Sequence, residues 1–354
     1  MQASKYNILV NQKANNKVLI AQIAPSVRIG LQTPANKIVT GLKRIGFDYV
    51  FDTLFAADLT IVEEGNELIK RIKTGRLNMP MFTSCCPGWM KLVKSSYPSL
   101  LEFVSTTRSP QEMMGSLVKR YYADHHLSGH SASDIYLVSF MPCTRKGEEA
   151  LIYGNNDLVI TTNELSSILL ERSIDLQNLE ETEFDKPFSF GSGGAILFGR
   201  SGGVMTSALR FVYETLSGNT MPNVEFKQNN LIPTIKEARV DIPCRDGLVL
   251  TINVAIICGL GDAKKYIAAL EEGKVHHHFV EVMSCVPSGC ITGGGQAVKN
   301  DPSVYEKRLI AINELDNEAS LKAAHENQDI KSIYDDYLGH PMSEIAHELL
   351  HRHE

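Results

Sequence analysis

The sequence predicts an α/β protein of two lobes, each built on a mainly parallel sheet flanked by helices. Three observations predict it. Strand-like and helix-like segments alternate along the first half of the chain. A length of 354 residues suits two compact lobes or one large domain. Three cysteine-bearing segments each follow a predicted strand, and the carboxyl edge of an open α/β sheet is where ligands bind.

The elements follow in order. KVLIAQIA (17–24) is strand-like. Its apolar core resembles a signal-peptide core, but it is short and runs straight into PSVRIG, so it reads as a first core strand of a cytoplasmic protein. TPANKIVTGLKRIG (33–46) is a helix, with Thr33 as N-cap, Pro34 at the first helical position and Gly46 at the stop. YVFD (49–52) is the next strand. In ADLTIVEEGNELIKRIKTG, residues Leu59, Val62, Leu68 and Ile72 recur near the helical period. MPMFTS (79–84) and ASDIYLVSF (132–140) are strands, and TNELSSILLERSI (162–174) is a helix. LVLTINVAIIC (248–258) is a buried strand, and its continuation GLGDAKKYIAALEEG repeats the strand–turn–helix unit. HFVEVM (278–283) is a strand, and the tail from about Glu314 is polar, charged and helical. We take residues 1–354 as one domain with lobes of about 1–165 and 166–354, the boundary drawn from the polar stretch DLQNLEETEFDKP (175–187).

Composition excludes several classes. A net charge of −6 argues against wholesale nucleic-acid binding, which needs a basic surface. No apolar run approaches the roughly 20 residues of a membrane-spanning helix. The glycine-rich GSGGAILFGRSGG and GLGDAKK fit neither phosphate-loop pattern and read as tight turns that let backbone approach a buried group.

Seven cysteines in a chain without an export signal point to metal ligation or catalysis rather than a disulfide scaffold. Cys244 and Cys258 lie in apolar strand-like segments and read as small buried residues. The other five lie in FTSCCPGW, SFMPCTRKGEEA and EVMSCVPSGCITGGGQ. Zinc draws on paired knuckles or closely spaced histidines. Four thiolates from apolar loops suit an iron–sulfur cubane better, with zinc and plain thiol chemistry as the alternatives. A cubane needs only one of the adjacent Cys85 and Cys86, which leaves the other free to move a proton.

These three segments resemble, in order, the signature segments of the [FeFe]-hydrogenase catalytic domain. QIAPSVR (22–28), FDTLFAADLTIVEE (51–64), RSPQEMMG (108–115), ILFGRSGGVM (196–205) and HPMSEIAHELLH (340–351) extend the resemblance over nearly the whole chain. The resemblance implies a metal cluster buried between the lobes: a [4Fe-4S] cubane joined to a two-iron subcluster that carries CO, CN⁻ and a bridging azadithiolate, together the H-cluster. It implies reversible H₂ formation, 2H⁺ + 2e⁻ ⇌ H₂. The matching cubane ligands are Cys86, Cys143, Cys285 and Cys290, with Cys290 as the bridge between subclusters. Cys85 matches the thiol that passes protons to the bridging amine. Lys146 matches the residue that hydrogen-bonds the distal cyanide, and the backbone of Pro25 and Ser26 faces the other. Met141 and Met283 match thioethers that line the cavity. Gln111 and Phe198 match residues behind them. The implied proton relay runs from Glu67 through Ser105 and Glu64 to Cys85, and Glu149 matches a carboxylate that orients its neighbours.

The chain departs from that pattern in three ways. The last cysteine pair is CxxxxC rather than CxxxC, so the loop between Cys285 and Cys290 has an extra residue to absorb. No ferredoxin-like segment precedes the domain, so a ferredoxin-like carrier is expected to reduce the cubane directly. The chain is also short, close to a minimal catalytic domain. Lys91, Lys94, Lys119 and Arg120 are the expected basic patch for such a carrier. Radical-SAM maturation partners are implied as well. The terminal HELLH fits a zinc-protease motif with Glu348 as base, yet a terminal packing helix is the better reading, and the HHH run His276–His278 carries the same caution. An H₂ sensor and an iron–sulfur scaffold protein are the rivals.

Overall fold

A computed structural model describes residues 4–75, 80–297 and 301–353. Two sheets organise it. The first contains β1 (Val18–Ile23), β2 (Tyr49–Asp52), β4 (Ile135–Met141) and β5 (Leu158–Thr161), in the order β2–β1–β4–β5 and parallel throughout. Every residue of β1 is buried, as expected of a parallel strand covered on both faces. Its one polar residue, Gln22, is satisfied: its amide lies 2.7 Å from Asn156 Oδ1 and 3.0 Å from Ser139 Oγ. The chain leaves β1 for β2 on one side and joins β4 on the other, so a crevice opens beyond their carboxyl ends.

The second sheet runs β3 (Met81–Phe82), β9 (Phe279–Met283), β8 (Val249–Cys258), β7 (Lys236–Pro243), β6 (Lys227–Gln228). Its first three strands are parallel, and β7 and β6 are added antiparallel. The predicted strand 79–84 thus shortens to two residues, and Met79 lies outside the described residues.

Between the sheets lies the long helix Thr53–Lys73, buried nearly all round, as a helix at the centre of a large core must be. It starts where Asp52 Oδ1 accepts the Leu54 N–H at 3.1 Å, and the Arg28 guanidinium holds the same carboxylate at 2.7 Å. Helix Ala35–Ile45 begins one residue later than predicted. Pro34 is its cap residue, while the Thr33 hydroxyl donates instead to the Leu31 carbonyl at 3.0 Å. Gly46 ends it at φ +119°, where a side chain would be strained.

Sheet membership does not follow the expected boundary near residue 165. Strand β3 comes from the first half of the chain but pairs with β9. Ile168, Leu176 and Phe184, from beyond that boundary, belong to the core around the first sheet. The polar residues of 175–187 alternate with buried Leu176, Leu179 and Phe184, which pack on that core.

Candidate metal centre

Both sheets aim their carboxyl ends at one cavity. Ala24, Pro25 and Ser26 reach it from the end of β1, Thr53 from β2, Cys85 and Cys86 from β3, Met141 and Cys143 from β4, and Met283 and Cys285 from β9. Cys290, Lys146, Gln111 and Phe198 complete the wall of this cavity of about 80 Å³. Of the predicted site residues, Glu64, Glu67, Ser105 and Glu149 stand behind this wall.

Local sequence explains how each cysteine is fixed. Pro87 opens the helix Pro87–Ser96 and Cys86 is its cap residue, so the backbone after the cysteine pair is stiff. Trp89, one turn on, is fully buried with its ring 5.4 Å from that of Phe82. Burial of such a side chain contributes about 3 kcal/mol and anchors the pair from below. Cys86 Sγ lies 3.2 Å from Ser284 Oγ and accepts the Ser284 N–H at 3.4 Å, which ties the first motif to the third. The extra residue in CVPSGC is absorbed by a turn in which the Gly289 N–H donates to the Cys285 carbonyl at 2.8 Å. Gly289 sits at φ +80°, and a Cβ there would lie 2.6 Å from the Ser201 nitrogen. Val286 is pushed outward and exposed, and both cysteines still face the cavity.

The electrostatics fit a metal cluster. Burial, and then the facing Cys285, Cys143 and Cys86, push the Cys290 thiol well up. Burial and Cys86 push Cys143 up to about 11 and raise Cys285 as well. Such thiols lose their protons only to a cation that compensates both costs. Among the described residues no three of His, Cys, Asp and Glu stand close enough to hold a single metal ion. Tetrahedral zinc would draw its four sulfurs within about 4 Å of one another, whereas a cubane spreads them over its corners. Ser26 Oγ and Gln111 Oε1 are buried at this cavity without hydrogen-bond partners among the described residues, as a polar guest would require.

Cys85 differs from the other four cysteines at the cavity. Burial first, and the Glu64 charge second, hold its thiol well above the ordinary range, so it carries a proton. The Lys146 ammonium lies 3.3 Å from the Cys85 carbonyl and 2.5 Å from Glu149 Oε2. Burial works against that ammonium, but Glu149 outweighs it and raises the pKa. Glu149 also accepts from Ser109 at 3.0 Å and Gln111 at 3.3 Å, so it orients three neighbours.

Behind Cys85, Glu64 is 1 % exposed. Its oxygens make no hydrogen bond of good geometry among the described residues; burial, then Glu67, push its pKa up to about 8, against the weaker pull of the nearby Ser105 hydroxyl and Ser84 backbone. Ser105 gives its one hydrogen to Glu67 Oε2 at 2.8 Å. Glu67 Oε1 is held by Arg71, with Nη2 at 2.7 Å and Nε at 3.1 Å. The two acids are thus unequal: the inner one is neutral at pH 7, and the outer one is paired with a cation.

Several groups here escaped sequence reasoning. Arg71 lies one turn beyond Glu67, and that i, i+4 spacing could have shown it. Thr53 follows β2 into the cavity, and its hydroxyl donates to Gln22 Oε1 at 3.1 Å. Glu112, next to Gln111, is raised to about 8 by burial and then by Glu149. Cys244 and Cys258 are half-buried rather than buried, and neither lines the cavity.

The basic patch needs correction. Lys119 donates to the Ile135 carbonyl at 2.8 Å and pairs with Asp157 at 2.7 Å, at the amino end of β4, opposite the cavity. Arg120 pairs with Glu348 at 3.1 Å. Lys91 and Lys94 instead share a groove with Arg145 beside helix Pro87–Ser96. Closeness in number misled, because Lys91 and Lys94 lie on the helix Pro87–Ser96 while Lys119 and Arg120 lie on a separate helical segment, Val118–Tyr122. The HELLH segment is a short terminal helix, Glu344–Leu350, and His351 spends both ring nitrogens on Glu63 and Thr106, which leaves none for a metal.

Sulfurs spread over three strand ends, and not gathered around one ion, fit the class of proteins that hold a polynuclear iron–sulfur centre. Family matches narrow that class. Residues 17–294 match the C-terminal domain of the iron-only hydrogenase large subunit, and residues 302–353 match the iron hydrogenase small subunit. The chain belongs to the iron-only hydrogenase family. It is 39% identical to the NADP-reducing hydrogenase subunit HndD of Solidesulfovibrio fructosivorans, over 96% of this chain and 60% of that one. It is 30% identical to a cytosolic Fe-S cluster assembly factor of Danio rerio, over 98% and 89%. An apo [FeFe]-hydrogenase from Chlamydomonas reinhardtii superposes with a TM-score of 0.85 at 38% identity, over 98% of both chains. The chain spans about 60% of the length of the first two curated hydrogenases it matches. Membership implies binding of a [4Fe-4S] cluster within an H-cluster. Among the described residues no helix is long and apolar enough to cross a membrane.

Proposed function

We propose that this chain interconverts protons, electrons and H₂ at an H-cluster, as a cytoplasmic enzyme reduced by a ferredoxin-like carrier. Cys86, Cys143, Cys285 and Cys290 hold the cubane, with Cys290 next to the two-iron subcluster and its CO, CN⁻ and azadithiolate ligands. When bound, that group supplies the redox chemistry and the site at which H₂ forms. The chain's own residues supply the rest. Lys146, Ser26 and Gln111 offer polar contacts that orient the subcluster, while Met141, Met283 and Phe198 exclude water from it.

The observation that carries this reading is the graded acid series. Glu67 is paired with Arg71 and accepts from Ser105, Glu64 is neutral, and Cys85 holds a proton at the cavity wall. A proton taken up at Glu67 passes through Ser105 to Glu64 and on to Cys85. A protein that only carries a cubane has no use for such a series. Lys91, Lys94 and Arg145 surround Glu148, which pairs with Lys91 at 2.8 Å and Arg145 at 3.4 Å, so three cations against that one carboxylate leave a positive face for an acidic carrier. Radical-SAM partners build the subcluster.

The likeness to the Danio rerio assembly factor, over almost its whole length, favours a second reading as an iron–sulfur assembly protein. H₂ evolution from reduced viologen separates the two, with oxygen-free protein loaded with both subclusters. Steady turnover supports the hydrogenase. A sample that holds a cubane, shows no CO or CN⁻ infrared bands and makes no H₂ supports the assembly reading.

A further inference from the structure

A second hydrogen-bonded chain lies beside the relay acids. It starts at Glu63, the neighbour of Glu64 on the long helix, whose side chain is fully buried. Glu63 accepts the Tyr334 hydroxyl on Oε1, and on Oε2 the Met342 N–H at 2.9 Å. The same Oε2 lies 3.0 Å from Nε2 of His351, another fully buried side chain. On the far side of that ring, Nδ1 lies 2.7 Å from Thr106 Oγ1. Thr106 Oγ1 in turn lies 3.3 Å from Glu67 Oε2, which also accepts the Thr106 N–H at 3.0 Å. The chain therefore runs Glu63–His351–Thr106–Glu67 and ends on the outer acid of the relay.

A threonine hydroxyl has one hydrogen to give. Glu63 is a carboxylate already served by two donors, so Nε2 meets it as a third donor in either charge state of the ring. With a neutral ring, Nδ1 is an acceptor, and Thr106 turns its hydrogen to His351. With a charged ring, Nδ1 donates, and Thr106 turns its hydrogen to Glu67. The hydroxyl thus transmits the proton state of His351 to the carboxylate that feeds the relay. Other titratable or charged groups face this chain. Arg71 binds Glu67 from the same helix, His347 stacks on His351 at 4.8 Å, and Arg352 donates to the Ser105 carbonyl at 3.2 Å.

We propose that His351 is a positioning residue for the proton relay, which it governs through the Thr106 hydroxyl that Glu67 and His351 share. The inference rests on Glu67, Ser105 and Glu64 being the relay. Its first test does not need turnover. Nitrogen NMR of the full chain labelled with ¹⁵N-histidine follows the His351 titration, with the signal assigned by His351→Gln. Glu67→Gln and Thr106→Val are each expected to move the His351 midpoint by about half a pH unit or more, as coupled sites require. Thr106→Ser, which keeps the hydroxyl, restores it. In the loaded enzyme, Thr106→Val displaces the pH–rate profile of H₂ evolution and Thr106→Ser does not. A His351 midpoint that ignores both Glu67→Gln and Thr106→Val overturns the inference. Coupling in a protein that makes no H₂ keeps the His351–Thr106–Glu67 link but removes the hydrogenase reading and, with it, the relay role proposed for that link.

Discussion

Replacing Glu64 by Gln isolates the least ordinary group in the relay. Glu64 is raised from an ordinary value near 4.5 to about 8, by burial first and by Glu67 second. A carboxyl with a raised pKa binds its proton more tightly in the folded state. Its stabilising effect is complete below about pH 4.5 and is lost as pH rises through about 8. At about 1.4 kcal/mol per pH unit the whole window is worth ~5 kcal/mol, of which about 3 kcal/mol falls between pH 5.5 and 7.5. Gln keeps the neutral shape and has no proton to lose. Urea unfolding of both proteins, in the same state of cluster loading, should show wild type losing about 3 kcal/mol relative to Glu64→Gln between those two pH values. Turnover of the variant should fall by roughly 10²-fold or more, as for removal of a proton carrier. Parallel stability curves would mean that Glu64 is ionised at neutral pH, and the graded series would then be wrong.

Two further outcomes test other parts of the site. Gly289→Ala places a Cβ 2.6 Å from the Ser201 nitrogen at φ +80°, so the Cys285–Cys290 turn must shift; iron content per chain should fall below the level of a full cubane, and unchanged iron would show that the loop adapts. Reversing Lys91, Lys94 and Arg145 to Glu should slow ferredoxin-driven turnover about tenfold at low salt and leave the viologen rate alone. The same reversal at Lys119, which faces the opposite end of β4, should change neither rate.

The parallel strands were legible because their apolar runs are continuous, and the cysteine segments because Cys85, Cys143 and Cys285 each follow a strand within three residues. The antiparallel addition of β7 was missed although CRDGL holds the Asp-Gly of a tight hairpin, and Gly247 at φ +85° makes that turn. Sheet membership crosses the boundary near residue 165 for a different reason. Strand β3 is two residues long, and its partner β9 lies about two hundred residues away, so no local pattern announces the pairing. The relay acids read as a solvated helix face in isolation, and only the resemblance placed them inside. Their partners were less accessible still. Thr106 and His351 are 245 residues apart; His351 stands out only as the end of the metal-like HELLH string, and nothing in the sequence pairs it with the threonine.

The central claim is that a protonated Cys85 at the cavity wall delivers protons to a cluster held by the other four cysteines. Its most direct test compares H₂ evolution by wild type and Cys85→Ala, both loaded with the two subclusters, with the CO and CN⁻ infrared bands recorded on the same samples. The account predicts matching bands in the two proteins, steady turnover in wild type and a rate lower by roughly 10²-fold or more in the variant. Equal rates with matching bands would contradict it.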